Sequence, residues 1–303
     1  MKNILVTGGC GFIGSHLVDK FIEKGNSVLV IDDLSSGLKV NENSNAKYIY
    51  NNIVDYISDP DFLDKILKKN KIEIIYHLAA SADISLSMYQ PEKVFLINTM
   101  SSIALINSSI RCSVKKFLFA STSAVYGEPT YLPVDLDHPT NPINPYGLSK
   151  LYVENYMNYV SRKSMKQIIF RLPNVYGPRQ RPDLEGGVVA IFENLMRKNL
   201  QVKIFGDGSQ TRDWVHVYDI VDAFEKALIV DTNIEVFLLG SCIENTVNDL
   251  YFYLSESLNY RKKPIHLEAR KGDPKRMLMS NTEANNKISW KSKIILSEGV
   301  KIV

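Results

Sequence analysis

Tyr146 and Lys150 stand four residues apart in the segment NPYGLSK, a spacing that puts both side chains on one face of a helix. A tyrosine with a pKa near ~10 is a poor base at neutral pH. A neighbouring ammonium stabilises the phenolate and brings it towards a useful range, and a positively charged nicotinamide ring would help. Tyrosine and lysine meet at this spacing by chance in many helices, so the pair gains meaning from what precedes it. Upstream lies the hydroxyl-rich run Ser121-Thr122-Ser123, which closes an apolar stretch that reads as a strand. Ligands of open α/β sheets gather at the carboxyl ends of strands. There Thr122 would hydrogen-bond a reacting hydroxyl and present its proton to Tyr146.

A second group reads as a phosphate cradle. Thr7 to Gly14 is TGGCGFIG, with Gly8, Gly11 and Gly14 evenly spaced between a strand pattern and a helix pattern. A tight turn and a close backbone approach to a pyrophosphate exclude side chains, and a helix amino terminus supplies N–H donors and a favourable dipole. Three spaced glycines alone are weak. With the strand before, the helix after and a carboxylate at the end of the next strand, they predict a dinucleotide site. That carboxylate comes from Asp32-Asp33. It can accept both ribose hydroxyls and would repel a 2′-phosphate, which favours NAD over NADP. For Asp33, capping the following segment is an equal alternative.

These groups need elements to hold them. Asn3 to Thr7 reads as a strand buried on both faces, Ile13 to Lys24 as a helix stopped by Gly25, and Ser27 to Ile31 as the next strand. The alternation continues through Ile72–His77, Lys116–Ala120 and Gln167–Phe170. Strands alternating with helices predict βαβ units in a doubly wound parallel sheet of the α/β class. After Pro173 prolines, glycines and charges cluster in a long loop, Gly177 to Gly187. A helix at Val188–Arg197, a strand at Val202–Phe205 and a further loop, FGDGSQTRDW, follow. Val217–Ile229 reads as a helix, and Glu235–Leu239 as a strand that rejoins the main sheet. The expected division is a dinucleotide domain over 1–172, with 214–242 returning to it, and a smaller discontinuous domain over 173–213 and 243–303.

Composition sets bounds. A chain of 303 residues with ordinary apolar and charged fractions can bury a full core. A net charge of +3 gives no reason to expect nucleic acid or an acidic membrane surface as partner. The three cysteines, Cys10, Cys112 and Cys242, are far apart and form no metal-ligand spacing. No metal is expected, and a reducing cytoplasm is the simplest compartment. The amino terminus moves straight into a strand, without the pattern of a secretory signal, and no stretch is apolar enough to span a bilayer.

Almost the whole chain resembles the extended short-chain dehydrogenase/reductase family, the nucleotide-sugar epimerases and dehydratases. The resemblance rests on TGGCGFIGSHLVD, DDLSSG, HLAA at 77–80, YGLSK, RLPNVYGPRQ, FGDGSQTRDWVHVYDIVDAF and RKGDPKR, in that order. Within the family the chain is most similar to UDP-glucose 4-epimerases, of which DDLSSG is typical. The resemblance implies a bound NAD met by the backbone of Phe12 and Ile13, by Asp32 and by Ser36. Asn52 and Ile53 would lie beside the adenine, where the family has Asp-Ile. Leu78, Ala79 and Ala80 would line the cofactor with Asn98 nearby, and Pro173 would approach the nicotinamide. Asn174, Val189, Phe205, Arg212 and Arg270 match positions around the uridine diphosphate, and planar guanidinium donors suit such a group.

Two departures narrow the chemistry that the resemblance implies. Where the family's dehydratases follow the threonine with Asp-Glu, this chain has Ser123 and Ala124, so the acid and base for water loss are missing. Ala124 likewise replaces the glutamate of the family's decarboxylases. Met277 falls at the position that gates sugar size and is intermediate between the large and small residues found there. The expected reaction is inversion at C4 of a UDP-hexose through a transient 4-keto sugar, with Thr122, Tyr146 and Lys150 as catalytic residues. Action on UDP-N-acetylglucosamine or UDP-glucuronate, or nucleotide-sugar reduction, are the alternatives. Helices over 94–110 and 146–160 resemble those that pair in the family's four-helix dimer interface, implying a homodimer.

Overall fold

In a computed structural model of the chain, residues 1–161, 165–184, 187–269 and 274–303 are described. The first half runs β1 (Asn3–Thr7), α1 (Phe12–Glu23), β2 (Ser27–Asp32), β3 (Lys47–Tyr50), α2 (Pro60–Lys69), β4 (Ile74–His77), α3 (Ile84–Tyr89), α4 (Pro91–Phe95), α5 (Ser101–Arg111) and β5 (Lys116–Thr122). Then come α6 (Pro145–Val160), β6 (Lys166–Leu172), β7 (Asn174–Tyr176), α7 (Val188–Arg197), β8 (Lys203–Phe205), β9 (Thr211–His216), α8 (Val217–Lys226) and β10 (Ile234–Leu238). The chain finishes with β11 (Glu244–Thr246), α9 (Val247–Ser257), β12 (Ile265–Leu267), α10 (Thr282–Ile288) and α11 (Leu296–Gly299).

Seven parallel strands form the central sheet in the order β10-β6-β5-β4-β1-β2-β3. Successive side chains of a strand point to opposite faces. Ile4 and Val6 of β1 therefore join one core with Leu17, Phe21, Leu118 and Phe170. Leu5 joins the other, with Ile75, Phe119, Leu105 and Met157. Helices cover both faces, which is why these strands are almost continuously apolar. The strand order reverses direction at β1, which β2 and β4 flank. The crevice outside that reversal is where such sheets take their ligands.

A third core holds Tyr176, Val189, Phe192, Trp214, Val247, Leu250 and Leu254 around a three-stranded sheet, β11-β9-β7. Strands β8 and β12 pair separately. Three details differ from the sequence expectation. β3 at the sheet edge has two half-buried residues between exposed ends, too short a pattern to stand out. The end of FGDGSQTRDW is no loop: Thr211 onward forms β9, because distant β7 and β11 supply its hydrogen-bonding partners. Ala284, Ile288 and Trp290, in the stretch assigned to the second domain, pack into a core of the seven-stranded sheet. Asp219 fixes that tail: one carboxylate oxygen accepts from Ser292 Oγ at 3.0 Å and from the N–H groups of Lys293 and Ile294 at 2.9 Å. No helix among the described residues is long and apolar enough to cross a membrane.

Candidate active site

The fold brings Thr122, Tyr146 and Lys150 together. Asn144 caps α6, its side chain accepting from Gly147 N at 2.8 Å, and Pro145 starts the helix. Gly147 lets this turn press against the chain just after β5, since a Cβ there would lie 2.4 Å from Ala124 O. Tyr146 thereby reaches the strand end, near enough to the Thr122 hydroxyl for it to favour the phenolate. Lys150 is buried; its Nζ donates to Ala120 O at 2.8 Å and lies 4.7 Å from the centre of the Phe119 ring.

The electrostatics qualify the expected phenolate. Burial pushes the Tyr146 phenol above its usual range, opposed by the Thr122 hydroxyl. Burial also lowers the Lys150 ammonium to about 7, opposed by the carboxylate of Glu154. Burial thus moves both groups towards their neutral forms, and Glu154 opposes that at Lys150. A cationic cofactor ring bound in this crevice would supply the charge that favours the phenolate. His77, buried behind them on β4, is pushed down to about 3 by burial and is neutral. The Ser102 hydroxyl donates to Asn98 O, so it accepts from His77 Nε2–H at 2.7 Å. Nδ1 of the neutral ring then accepts from the Thr7 hydroxyl, also at 2.7 Å.

The turn after β1 fits a dinucleotide. Gly8 has φ of +73°, and a Cβ on Gly14 would lie 2.1 Å from Gly8 O. No side chain caps α1 at Gly11, so the first N–H groups of the helix, including those of Phe12 and Ile13, are left for a ligand. Asp32 is buried and accepts from Cys10 N at 2.9 Å and Leu34 N at 2.8 Å. Each carboxylate oxygen keeps a lone pair for a ribose hydroxyl. Asp33 is exposed and accepts from Ser35 N at 2.9 Å, the local capping geometry.

Other predicted cofactor residues have mixed surroundings. Leu78, Ala79 and Ala80 follow β4 and are partly exposed. Pro173 is buried directly after β6. Asn52 accepts from Val54 N at 2.9 Å and so caps a short turn, while the Ile53 side chain is committed to the core. Asn98 sits on a π-turn, Leu96–Met100, between α4 and α5. It is fully buried, accepting from Ser81 N at 2.8 Å and donating to Ser81 O at 2.9 Å and Ser149 Oγ at 3.0 Å. Those contacts tie the Ala80–Ser81 segment to α6. Ser36 accepts through its carbonyl from Arg181 Nη1 at 3.1 Å. With Arg179–Asp19 at 2.8 Å and His16–Pro178 O at 2.9 Å, this joins the loop after β7 to α1 and to the segment after β2.

On the second lobe, Asn174 opens β7, Phe205 ends β8, and Arg212 lies in β9 with Nη1 donating to Thr211 O at 2.7 Å. The Val189 and Met277 side chains are buried in apolar clusters, Met277 against Val125, Tyr126 and Met279. Arg270 lies outside the described residues. The described residues hold no cluster of metal-ligating side chains. Sequence reasoning missed Glu154, Arg171 and Asp213. Glu154 follows Lys150 at helical spacing and was there to be found; Arg171 and Asp213 show no local signal.

Such a crevice, with a Tyr–Lys–Thr group beside a dinucleotide turn and a second lobe opposite, defines a pyridine-nucleotide-dependent enzyme of the short-chain dehydrogenase/reductase type. A profile of the NAD dependent epimerase/dehydratase family matches residues 4–240. A putative UDP-glucose 4-epimerase of Methanocaldococcus jannaschii is 40% identical over 302 residues, covering 99% of this chain and 96% of the relative. The crystal structure of a UDP-glucose 4-epimerase with UDP-glucose from Thermotoga maritima superposes with a TM-score of 0.95 at 40% identity, covering 99% and 96% of the two chains. One from Thermus thermophilus in complex with NAD gives 0.91 at 30% identity, covering 99% and 97%. The chain belongs to the NAD-dependent epimerase/dehydratase family.

Proposed function

We propose that this enzyme inverts C4 of a UDP-hexose, interconverting UDP-glucose and UDP-galactose. The observation that carries the reading is Tyr146 beside Thr122 at the end of β5, with Lys150 held on Ala120 O, in a chain that has Ser123 and Ala124 in place of an acid and base for dehydration. NAD, when bound, supplies a reversible hydride acceptor and a positive charge next to the phenol. Tyr146 takes the proton of the 4-hydroxyl and returns it after the sugar has turned. Thr122 orients that hydroxyl, and Lys150 supports the phenolate. Arg212, Asn174, Phe205 and Arg270 hold the uridine diphosphate, whose binding energy is remote from the reacting carbon and leaves the 4-keto sugar free to rotate.

The division of labour follows the crevice: 1–172 with 214–242 bind the cofactor, and 173–213 with 243–303 bind the nucleotide-sugar, apart from the stretch holding Ala284, Ile288 and Trp290, which packs on the large sheet. The proposed assembly is a homodimer, supported by exposed Leu96, Met100, Leu148, Tyr152 and Tyr159 on the π-turn and α6, and the proposed compartment is the cytoplasm. The test offers UDP-glucose, UDP-N-acetylglucosamine and UDP-glucuronate separately and follows the C4 epimer by NMR. Denatured protein is assayed for released NAD. Turnover of UDP-glucose with retained NAD is expected. Preference for either other sugar overturns the substrate, and stoichiometric release of NADPH overturns epimerisation.

A further inference from the structure

Behind the catalytic helix lies a charged pair with no part in the reaction as described so far. Glu154, one turn beyond Lys150, is 5% exposed, and Arg171 of β6 is 9% exposed. Arg171 donates through Nη2 to Glu154 Oε2 at 2.7 Å and through Nε to both carboxylate oxygens, at 3.2 and 3.1 Å. Its Nη1 donates to the buried Tyr126 hydroxyl at 2.6 Å. Sheet register explains the meeting, because Arg171 is paired with Ser121 and Leu172 with Thr122. Ser121 in turn donates its hydroxyl to Glu154. Two consecutive residues of β5 are thus gripped by α6, Ala120 by Lys150 and Ser121 by Glu154, and Thr122 next to them lies beside Tyr146.

A buried ion pair is weak support for stability, since an apolar pair of similar volume often serves as well. Position gives this pair another use. Around the Lys150 ammonium are uncharged Phe119 and Ala120 of β5, neutral His77 of β4 and Glu154 of its own helix, with Tyr146 one turn before it. The π-turn packed on α6 offers Asn98 and Thr99, and Glu92 and Lys93 of α4 are exposed. Among the buried groups named, Glu154 is the one carboxylate, and Arg171 is bonded to it. We propose that Glu154, clamped by Arg171 and Ser121, is a positioning residue that keeps Lys150 charged and fixes the level of Tyr146 against Thr122. Burial alone would discharge Lys150 near neutrality, and the neighbouring carboxylate counters that loss. A neutral Lys150 would leave the phenol without its supporting charge.

This rests on the acid–base roles proposed above, and its test separates the two. Glu154→Gln risks misfolding because it strands a buried guanidinium, so the informative variant is Glu154→Met with Arg171→Met, both charges replaced by apolar groups. Lysines are labelled with 13C at Cε, Lys150→Met assigns the resonance, and its titration is followed by NMR in the NAD-loaded protein. Circular dichroism and thermal melting establish that the double variant is folded. The expected result is a Lys150 midpoint lower by about one pH unit. The alkaline limb of kcat moves by the same amount, with KM for the nucleotide-sugar within about twofold. An unchanged Lys150 midpoint in a folded double variant overturns the proposal. A shifted midpoint in a protein that epimerises no UDP-sugar upholds it and sinks the assigned reaction instead.

Discussion

At the scale of single residues, the catalytic claim is that Tyr146 moves the proton and nothing else does. Tyr146→Phe removes the hydroxyl but leaves the ring packing, so NAD should remain bound while kcat falls on the order of 10²–10⁴-fold. Full activity in that variant would show the acid–base assignment to be wrong. Asp213 makes a second residue-scale case. It is fully buried and accepts from Ser241 N at 2.8 Å, Ser241 Oγ at 2.6 Å and Met279 N at 3.0 Å. Burial raises its carboxyl to about 6 despite those donors. A pKa raised on folding contributes stability that is complete below the unfolded value near ~4 and is lost as pH rises through the folded one. The melting temperature of the wild type relative to Asp213→Asn should therefore fall by on the order of 5 °C between pH 4 and pH 7. A gap that widens with pH would mean that Asp213 is stabilised as the anion.

Elements decide whether those residues meet. The β1 turn and α1 pack so closely that Gly14→Ala puts a methyl 2.1 Å from Gly8 O. We expect this substitution to cost about 1–3 kcal/mol in denaturant unfolding and to abolish copurification of NAD, read from the absorbance of the denatured supernatant. Gly25→Ala is the matched control. Gly25 also has a positive φ, +74°, yet nothing lies within 4 Å of a Cβ there. It should cost about 1–2 kcal/mol from backbone strain alone and keep its NAD. If both variants lose the cofactor equally, general destabilisation explains the loss and the cradle does not.

The whole molecule adds assembly. Exposed apolar side chains run along the outer faces of the π-turn and α6, and Tyr152 packs edge-on against Phe95 at 5.8 Å. A dimer through this face would bury them and brace the helix that carries Tyr146. Met100→Glu with Tyr152→Glu places unpaired charges in such an interface. Light scattering should then report a mass falling from two chains to one, with the far-ultraviolet spectrum unchanged. A variant that stays dimeric moves the interface elsewhere.

The primary structure by itself determined the alternation of strands and helices, the glycine turn with Asp32, and the Tyr146–Lys150 spacing. All of these are encoded in neighbours a few residues apart, where periodicity and backbone sterics act locally. Contacts across long stretches of chain were decided only in three dimensions. β9 became a strand because β7 and β11 flank it, and Trp290 crossed back to the first core. Arg171 came to face Glu154 through the pairing of β5 with β6. The charge state of the Tyr146–Lys150 pair belongs to the second kind. The spacing of Tyr146 and Lys150 supplies the chemistry, but burial, which no local pattern records, pushes the phenol up and the ammonium down. Desolvation depends on everything packed around a group, and that is a property of the folded chain alone.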